Sequence, residues 1–271
     1  MAIPIILVVL ICVYLFLLKG RLKHKDLSKL RKWYYAHRGL HKEGIPENSL
    51  SAFVAAKNAG LGIELDIHLM KDGNLAVIHD ASLKRTAGAD VQIENLTTEE
   101  LAVYRLEGTE EKIPLLSEVL ELIDGKVPLI VELKSVDNNY AKLCAAACKM
   151  LEDYTGLYCM ESFDPRCVLW LRQNKPEIVR GQLAFNAFRD NLNVPWVLKF
   201  ALKHNLLNIA IQPDFVAYCF QDRKTLGNFL CRKLWRMQGV AWTIRNEADF
   251  DTAVKEGWIP VFENFCHNEI P

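Results

Sequence analysis

Net charge is the first thing that this sequence lacks, since 33 lysines and arginines balance 33 aspartates and glutamates. Nucleic-acid binders need a basic excess to meet the phosphate backbone, so the balance argues against that function. No Gly-x-Gly-x-x-Gly motif follows the first predicted strand, which leaves a dinucleotide-binding fold without support. None of the eight cysteines forms a Cys-x-x-Cys pair. A zinc site around Cys144 and Cys148 is an alternative, but we expect reduced thiols, as in the cytosol.

Charged residues are also absent from residues 1–18. A helix of this length is about 27 Å long, at the short end of what spans a bilayer. Basic residues follow at Lys19, Arg21, Lys23 and Lys25 without a small-x-small cleavage site, so we expect a retained membrane anchor rather than a cleaved signal peptide. The positive-inside rule then predicts a single-pass membrane protein with its globular part in the cytoplasm. The basic residues would attract anionic lipid head groups.

After a basic linker over residues 19–32, residues 33–271 form one predicted domain. The chain is 51% hydrophobic, enough for one large core. Apolar strands alternate with amphipathic helices, which predicts an α/β fold with a parallel sheet closed into a (β/α)₈ TIM barrel; an open doubly wound sheet is the structural alternative. The predicted strands are Tyr34–His37, Ile63–His68, Leu75–His79, Leu129–Leu133, Leu157–Glu161, Val179–Ala184, Leu207–Gln212, Val240–Ile244 and Pro260–Phe262.

The second predicted strand is the most informative part of the chain. It carries Glu64, Asp66 and His68 at alternating positions, so that all three side chains point to one face. Asp72-Gly73 between two apolar runs indicates a hairpin, which accounts for a strand beyond the eight of a barrel. With these two residues at the turn centre, His79 lies opposite Asp66. Burying such charges is costly, so the pattern predicts a bound cation beside a general acid or base.

Six motifs follow one another along the chain. They are His37-Arg38-Gly39, Pro46-Glu47-Asn48-Ser49, Glu64-x-Asp66, Lys71-Asp72-Gly73, His79-Asp80 and Glu132-Leu133-Lys134. In this order they resemble the glycerophosphodiester phosphodiesterase family, from about Trp33 to at least Trp242. The resemblance implies a PLC-like phosphodiesterase barrel that hydrolyses glycerophosphodiesters to glycerol 3-phosphate and an alcohol with the help of a metal.

The carboxyl ends of the strands, where such barrels have their active sites, carry the groups that this chemistry needs. Glu64, Asp66 and Glu132 are hard oxygen donors, and the resemblance matches each of them to a ligand of one divalent cation, Mg²⁺ or Ca²⁺. A salt bridge is the alternative for any one of them alone. His37 and His79 match the family's two catalytic histidines, with acid and base unassigned between them. Water or a neighbouring glycerol hydroxyl is the nucleophile.

Three residues are predicted to bind the substrate. Arg38 suits phosphate oxygens as a planar fork and Lys134 as a point charge, although Arg38 can instead pair with Glu47. Trp242 resembles a family position that lines the mouth, where it either stacks on a glycerol or choline group or packs in the core.

Other positions depart from the family pattern or support it less directly. His68 stands where relatives usually have Gln, and we expect it to be a strand residue near the mouth. Asp80 is expected to orient His79. Arg245 replaces Asn, and Phe262-Glu263-Asn264-Phe265 replaces Thr-Asp-x-Pro, so barrel closure and the pocket near the last strand stay open questions.

Three alternative functions are kept. A membrane anchor favours lysophospholipase D activity, in which a lysophospholipid from the bilayer gives lysophosphatidic acid. Aromatic residues after the later strands either form an apolar rim for such a lipid or pack between barrel and helices: Phe163, Phe185, Phe188, Trp196, Phe215 and Tyr218. A non-catalytic, membrane-tethered binding module and a phosphoinositide-specific phospholipase C are the others, and the intact motif set argues against both.

Overall fold

The computed structural model describes residues 2–21, 26–189 and 195–265. The strands in these residues are β1 (Tyr35–His37), β2 (Gly62–Leu69), β3 (Leu75–Val77), β4 (Leu129–Leu133), β5 (Tyr158–Ser162), β6 (Arg180–Ala184), β7 (Phe215–Cys219), β8 (Gln238–Ile244) and β9 (Trp258–Phe262). The α-helices are α1 (Ala2–Leu17), α2 (Leu27–Leu30), α3 (Leu50–Asn58), α4 (Lys84–Ala87), α5 (Thr98–Leu101), α6 (Leu116–Ile123), α7 (Tyr140–Met150), α8 (Pro165–Asn174), α9 (Trp196–Lys203), α10 (Asn208–Ile211), α11 (Leu226–Lys233) and α12 (Glu247–Lys255).

Eight of the strands form a closed parallel barrel. They pair in the order β1-β2-β4-β5-β6-β7-β8-β9, and β9 closes the ring by pairing with β1. β3 returns along β2 in the antiparallel direction, because the connection between them is too short for a parallel crossover. The predicted (β/α)₈ barrel with one hairpin strand is therefore confirmed, and the atypical C-terminal sequence does not prevent closure.

The hairpin between β2 and β3 differs from the prediction by one residue. Its loop has three residues, 71–73, and is closed by a hydrogen bond of 2.9 Å that Asn74 O accepts. Gly73 adopts a φ of +88° at the last loop position, as three-residue hairpin loops require. The longer loop shifts the register, so that Ile78 N donates to Asp66 O over 3.0 Å. The predicted pairing of His79 with Asp66 is wrong.

The predicted position of the seventh strand is also wrong. Leu207–Gln212 is not a strand but contains α10, and the seventh barrel strand is β7, Phe215–Cys219. Pro213 separates the two, since proline cannot continue a helix. The strand sequence Phe-Val-Ala-Tyr-Cys is rich in aromatic and β-branched residues, which suit a buried strand.

The N-terminal helix is shorter than the predicted anchor over residues 1–18. α1 has 16 residues, which makes it about 24 Å long, against a hydrocarbon core of about 30 Å. Among the residues that the structure describes, no helix has the length and apolar character needed to cross a bilayer. The prediction of a transmembrane helix is therefore not supported.

The described parts of the predicted linker pack against the barrel. Gly20 is buried, as is Leu18 just before the linker, and Arg21 Nε lies 3.2 Å from Asp214 Oδ1. Leu30 of α2 belongs to the apolar cluster that fills the barrel interior, and its carbonyl accepts from the hydroxyl of Tyr35 at the start of β1. The residues before β1 thus help to close the amino end of the barrel, and the carboxyl end carries the open mouth.

Candidate active site

Charged side chains from several strands meet at the carboxyl end of the barrel around a cavity of about 160 Å³. Six predicted site residues line it: His37, Arg38, Glu64, His79, Glu132 and Trp242. The other two lie directly behind this surface, where Lys134 contacts Asp66 and Glu132. The structure therefore brings all eight predicted site residues together.

Three buried carboxylates form a compact cluster. Glu64, Asp66 and Glu132 bring oxygen atoms within 4.8 Å of one another. β2 directs the first two to one face, and the pairing of β2 with β4 sets Glu132 beside Asp66. Lys134 Nζ lies 3.0 Å from Asp66 Oδ1 and 2.7 Å from Glu132 Oε1. The ammonium group of Lys134 thus contacts the cluster on one side, and the cavity lies on the other.

Burial and mutual repulsion disfavour the charged forms of these carboxylates. Both effects raise the pKa of Glu64 well above its usual value, and burial raises the pKa of Glu132 to about 7. For Asp66, burial is outweighed by the nearby ammonium and guanidinium groups, which lower the pKa. With Glu161, four carboxylates face two cationic side chains. A bound divalent cation would offset the repulsion between these carboxylates, and their hard oxygen donors fit Mg²⁺ or Ca²⁺.

Glu161 was not singled out by the sequence analysis. It lies on β5 beside Glu132 in register, lines the cavity and is only 3% exposed. Burial and the charge of Glu132 raise the pKa of Glu161 well above its usual value. The available signal was its place just before Ser162-Phe163, at the end of a predicted strand.

Glu263 holds His37. Because a carboxylate only accepts, Nδ1 of His37 carries the proton that it donates to Glu263 Oε2. Nε2 of the same ring lies 3.9 Å from Glu64 Oε2. Arg245 Nε donates to Glu263 Oε1 over 2.7 Å. Against the effect of burial, the hydrogen bond from His37 lowers the pKa of Glu263. Arg245 and Glu263, which both depart from the expected pattern, are therefore in contact beside His37.

His79 is held in the same way. Its Nδ1 donates to Asp80 Oδ1 over 2.6 Å, which is the contact that the predicted orienting role of Asp80 requires. Arg85 Nε donates to Asp80 Oδ2 over 2.6 Å, and these bonds outweigh burial and lower the pKa of Asp80 to about 2. Behind it, His68 Nε2 donates to His79 O over 3.1 Å while His68 Nδ1 lies 2.6 Å from Glu94 Oε1. His68 thus supports the backbone of His79 and does not face the cavity.

Arg38 lines the cavity and bonds to two glutamates beside it. Its Nη1 donates to Glu47 Oε1 over 2.9 Å, the pairing kept as an alternative, and its backbone N–H donates to Glu64 Oε2 over 3.0 Å. The next residue, Gly39, has a φ of +80°, and a Cβ there would lie 2.8 Å from Ala52 Cβ. Glycine is therefore required for the tight passage from β1 towards α3.

Trp242 forms an aromatic wall of the cavity. Its Nε1 donates to a backbone carbonyl of β7 over 3.0 Å. Its ring packs edge-on against Phe163 at 5.4 Å between centroids, and Phe163 packs in the same way against Phe185 at 5.5 Å. Phe215 and Tyr218 are buried in the core, so the packing alternative holds for those two.

The chain was compared with protein-family models and with characterised proteins. The model of the glycerophosphoryl diester phosphodiesterase family matches residues 37–267. A glycerophosphodiester phosphodiesterase of Caldanaerobacter subterraneus subsp. tengcongensis is 28% identical over 235 residues, which are 82% of this chain and 89% of that protein. A lysophospholipase D of Rattus norvegicus is 37% identical over 139 residues, 46% of this chain. The aligned part spans only 42% of the rat protein.

Solved structures share the fold. A phosphodiesterase of Oleispira antarctica, determined in complex with the product sn-glycerol-3-phosphate, superposes with a TM-score of 0.70 at 24% identity, covering 85% of this chain and 92% of that one. A glycerophosphodiester phosphodiesterase of Thermotoga maritima superposes with a TM-score of 0.65 at 25% identity, covering 85% and 93% of the two chains.

Proposed function

Because this chain belongs to the glycerophosphoryl diester phosphodiesterase family, we propose that its cavity hydrolyses a glycerophosphodiester to glycerol 3-phosphate and an alcohol. The observation that carries the proposal is the pair of histidines, each bonded through Nδ1 to a carboxylate, beside a cluster of three carboxylates. Two titratable imidazoles supply the base and the acid that this reaction needs.

The two histidines divide the proton transfers. With Nδ1 committed to Glu263 or Asp80, each ring keeps Nε2 for the substrate. One imidazole accepts the proton of the attacking group as the new P–O bond forms. Attack by water gives glycerol 3-phosphate directly, whereas attack by the hydroxyl on the neighbouring glycerol carbon gives a cyclic phosphate that a water molecule then opens to glycerol 3-phosphate. The other donates a proton to the departing alkoxide oxygen as the old P–O bond breaks. Burial lowers the pKa of both His37 and His79, which suits the base, whereas the carboxylate bonded to each Nδ1 raises the pKa and so stabilises the imidazolium that the acid needs.

Glu64, Asp66 and Glu132 would hold one divalent cation, Mg²⁺ or Ca²⁺, which when bound supplies a Lewis acid to the phosphate. Arg38 and Lys134 contribute fixed positive charge to the same end of the barrel and so favour an anionic diester. The indole of Trp242 gives the cavity an apolar wall for the glycerol or the alcohol.

Release of choline or ethanolamine by the purified full-length protein tests the proposal. The substrates are glycerophosphocholine, glycerophosphoethanolamine and lysophosphatidylcholine, each with Mg²⁺, Ca²⁺ or EDTA. We expect metal-dependent release that falls about 100-fold or more in His37→Ala and persists in His204→Ala, which changes a histidine outside the cavity. A folded protein that releases nothing from any of the three would contradict the proposal.

Lysophospholipase D activity is a second candidate. Exposed apolar side chains along α1 favour it, because they would bring the cavity to a membrane that contains lysophospholipids. The name of the rat relative adds a precedent within the family. A higher kcat/KM for lysophosphatidylcholine than for glycerophosphocholine in the same assay would support this version, and the opposite preference would contradict it.

We also propose that α1 attaches the protein to a membrane. Its apolar side chains at Ile3, Ile5, Ile6, Leu7, Val8, Val9, Leu10, Ile11, Val13 and Phe16 are 49% to 81% exposed. Transferring them from water to lipid would be favourable, and the basic residues that follow favour the cytoplasmic face. Protease added outside intact cells should leave the barrel uncut; digestion without lysis would contradict this orientation.

A further inference from the structure

Two surface helices of the barrel expose apolar side chains that core packing does not explain. None of the residues of α9 is buried, and Trp196 and Phe200 on this helix are 71% and 40% exposed. On α11, Leu226 and Phe229 are 57% and 52% exposed. We call the outer surface of these two helices the α9–α11 face.

The α9–α11 face adjoins α1. Tyr14 Oη on α1 and His204 Nδ1, just past α9, are hydrogen-bonded at 3.0 Å. Trp235, just past α11, donates from Nε1 to Leu15 O over 2.9 Å. The two helices meet each other where Gly227 packs against the backbone of His204. The C-terminal part of α1 is thus bonded to the residues that follow α9 and α11, and all three helices expose apolar side chains.

The two segments that contain α9 and α11 carry charge of one sign, and Arg223 among them pairs with Glu256, which follows α12. Residues 195–212 and 223–238, which contain the two helices, have seven lysines and arginines and no aspartate or glutamate. This contrasts with the balance of 33 against 33 in the whole chain. Tryptophan and phenylalanine on a helix flanked only by basic residues are typical of helices that lie at the surface of an anionic bilayer.

Aromatic side chains lead from the cavity towards this face. Trp242 in the cavity wall contacts Phe163, and Phe163 contacts Phe185 at the end of β6. Three residues further on, Phe188 is 43% exposed, and Lys203 of α9 lies over its ring at 5.6 Å. An acyl chain that approaches from the face would therefore meet apolar groups along the way to the cavity.

We propose that the α9–α11 face lies on an anionic lipid bilayer beside α1 and turns the mouth towards a diester that carries one acyl chain. The proposal rests on the proposed membrane attachment through α1 and names the lipid surface as the source of the substrate.

Fluorescence quenching by lipid tests the contact without using activity. Full-length protein is bound to vesicles of phosphatidylcholine and phosphatidylglycerol with brominated acyl chains. We expect strong quenching of tryptophan fluorescence that is largely lost in Trp196→Phe. The quenching should persist in Trp33→Phe, which changes a tryptophan two residues before β1, the strand across the barrel from β6.

Vesicle binding of exposed-residue variants gives a second readout. Trp196→Gln and Phe229→Gln should each weaken binding to the same vesicles about tenfold, because each removes apolar area from the lipid contact. Val103→Gln is the matched control, since Val103 is 72% exposed near the hairpin side of the barrel, and it should bind like the unchanged protein. All three side chains are exposed, so the variants should fold.

The outcomes separate this proposal from the one on which it rests. Vesicle binding that is unaffected by Trp196→Gln and Phe229→Gln, without quenching of Trp196, would overturn the contact and leave attachment by α1 in place. No binding to vesicles would overturn both. A dimer in solution that Trp196→Gln dissociates would assign the face to a second copy of the chain. Hydrolysis of soluble glycerophosphocholine should be unchanged in all three variants.

Discussion

His37 depends on a carboxylate 226 residues away in the sequence, because Glu263 accepts from its Nδ1. The hydrogen bond and the negative charge of Glu263 both raise the pKa of His37 against the effect of burial. In Glu263→Gln the imidazolium loses this support, so the pKa of His37 falls further. We expect the limb of the pH–rate profile that reports His37 to move to lower pH, and kcat to fall about tenfold or more because the ring tautomer is no longer fixed. The limb that moves assigns His37 as acid or base.

Glu256→Gln is the control for this measurement, since Glu256 pairs with Arg223 at 3.0 Å and does not line the cavity. It should leave both limbs of the profile in place. If neither limb moves in Glu263→Gln, the contact between Glu263 and His37 has no part in catalysis.

The dependence of activity on metal concentration should distinguish the roles of Glu132 on β4 and Glu161 on β5, which lie side by side. Glu132 belongs to the three-carboxylate cluster, whereas Glu161 contributes its charge from the neighbouring strand. In Glu132→Gln the metal concentration for half-maximal activity should rise about 100-fold or more, and in Glu161→Gln about tenfold. Titration of each variant with Mg²⁺ and Ca²⁺ measures both. Equal effects would mean that Glu161 is itself a ligand.

The barrel elements also show what can be predicted from a sequence. Eight barrel strands and one hairpin strand follow from alternating apolar segments, and the residues at strand ends gather at the mouth because parallel strands share one carboxyl edge. The register of the hairpin does not follow, because it depends on whether the loop has two or three residues, and Lys-Asp-Gly-Asn suits both. β7 was missed because an apolar helix, α10, lies directly before it. Glu263 meets His37 only after the barrel closes, so local spacing cannot reveal their contact.

The connection between β1 and α3 is expected to tolerate no side chain at Gly39. Both Gly39 and Gly44 have left-handed φ, at +80° and +77°, so alanine at either costs about 1–2 kcal/mol of backbone strain. At Gly39 the new Cβ would also lie 2.8 Å from Ala52 Cβ, whereas at Gly44 it meets nothing within 4 Å. Gly39→Ala should therefore lose about 1–3 kcal/mol more unfolding free energy than Gly44→Ala. Urea unfolding of the two variants compares them, and equal losses would contradict the close contact.

At the scale of the whole molecule, charge and apolar surface are distributed unevenly although the totals balance. Buried carboxylates concentrate at the mouth of the barrel. Exposed apolar side chains concentrate on α1, α9 and α11, and the segments that contain α9 and α11 carry only basic charge. A chain with no net charge can therefore attract a cation at one place and an anionic surface at another. Composition alone reports only the sum, which is why the balance of charge in the sequence did not reveal either surface.

Cysteine labelling can follow the whole molecule onto a membrane. Among the described residues, five cysteines are buried, Cys219 is half-buried and Cys12 is exposed on α1. Burial raises the pKa of Cys148 to about 11 and of Cys231 to about 12, so few thiolates form there near neutral pH. A maleimide should therefore label Cys12 and Cys219 in the native protein and the buried cysteines only after unfolding. Cys266 lies outside the described residues, and Cys266→Ser removes its contribution.

Vesicles of phosphatidylcholine and phosphatidylglycerol should then protect one site and not the other. If α1 enters the lipid, labelling of Cys12 should slow about tenfold or more, because the reagent reacts in water and the thiol is withdrawn from it. Cys219 serves as the internal control, since it lies at the end of β7 and reports whether the barrel has changed. Mass spectrometry of the labelled peptides gives both rates from one sample. Equal rates for Cys12 with and without vesicles would show that α1 stays in water, whereas slowing of both cysteines would point to a general change in the protein and not to insertion of α1.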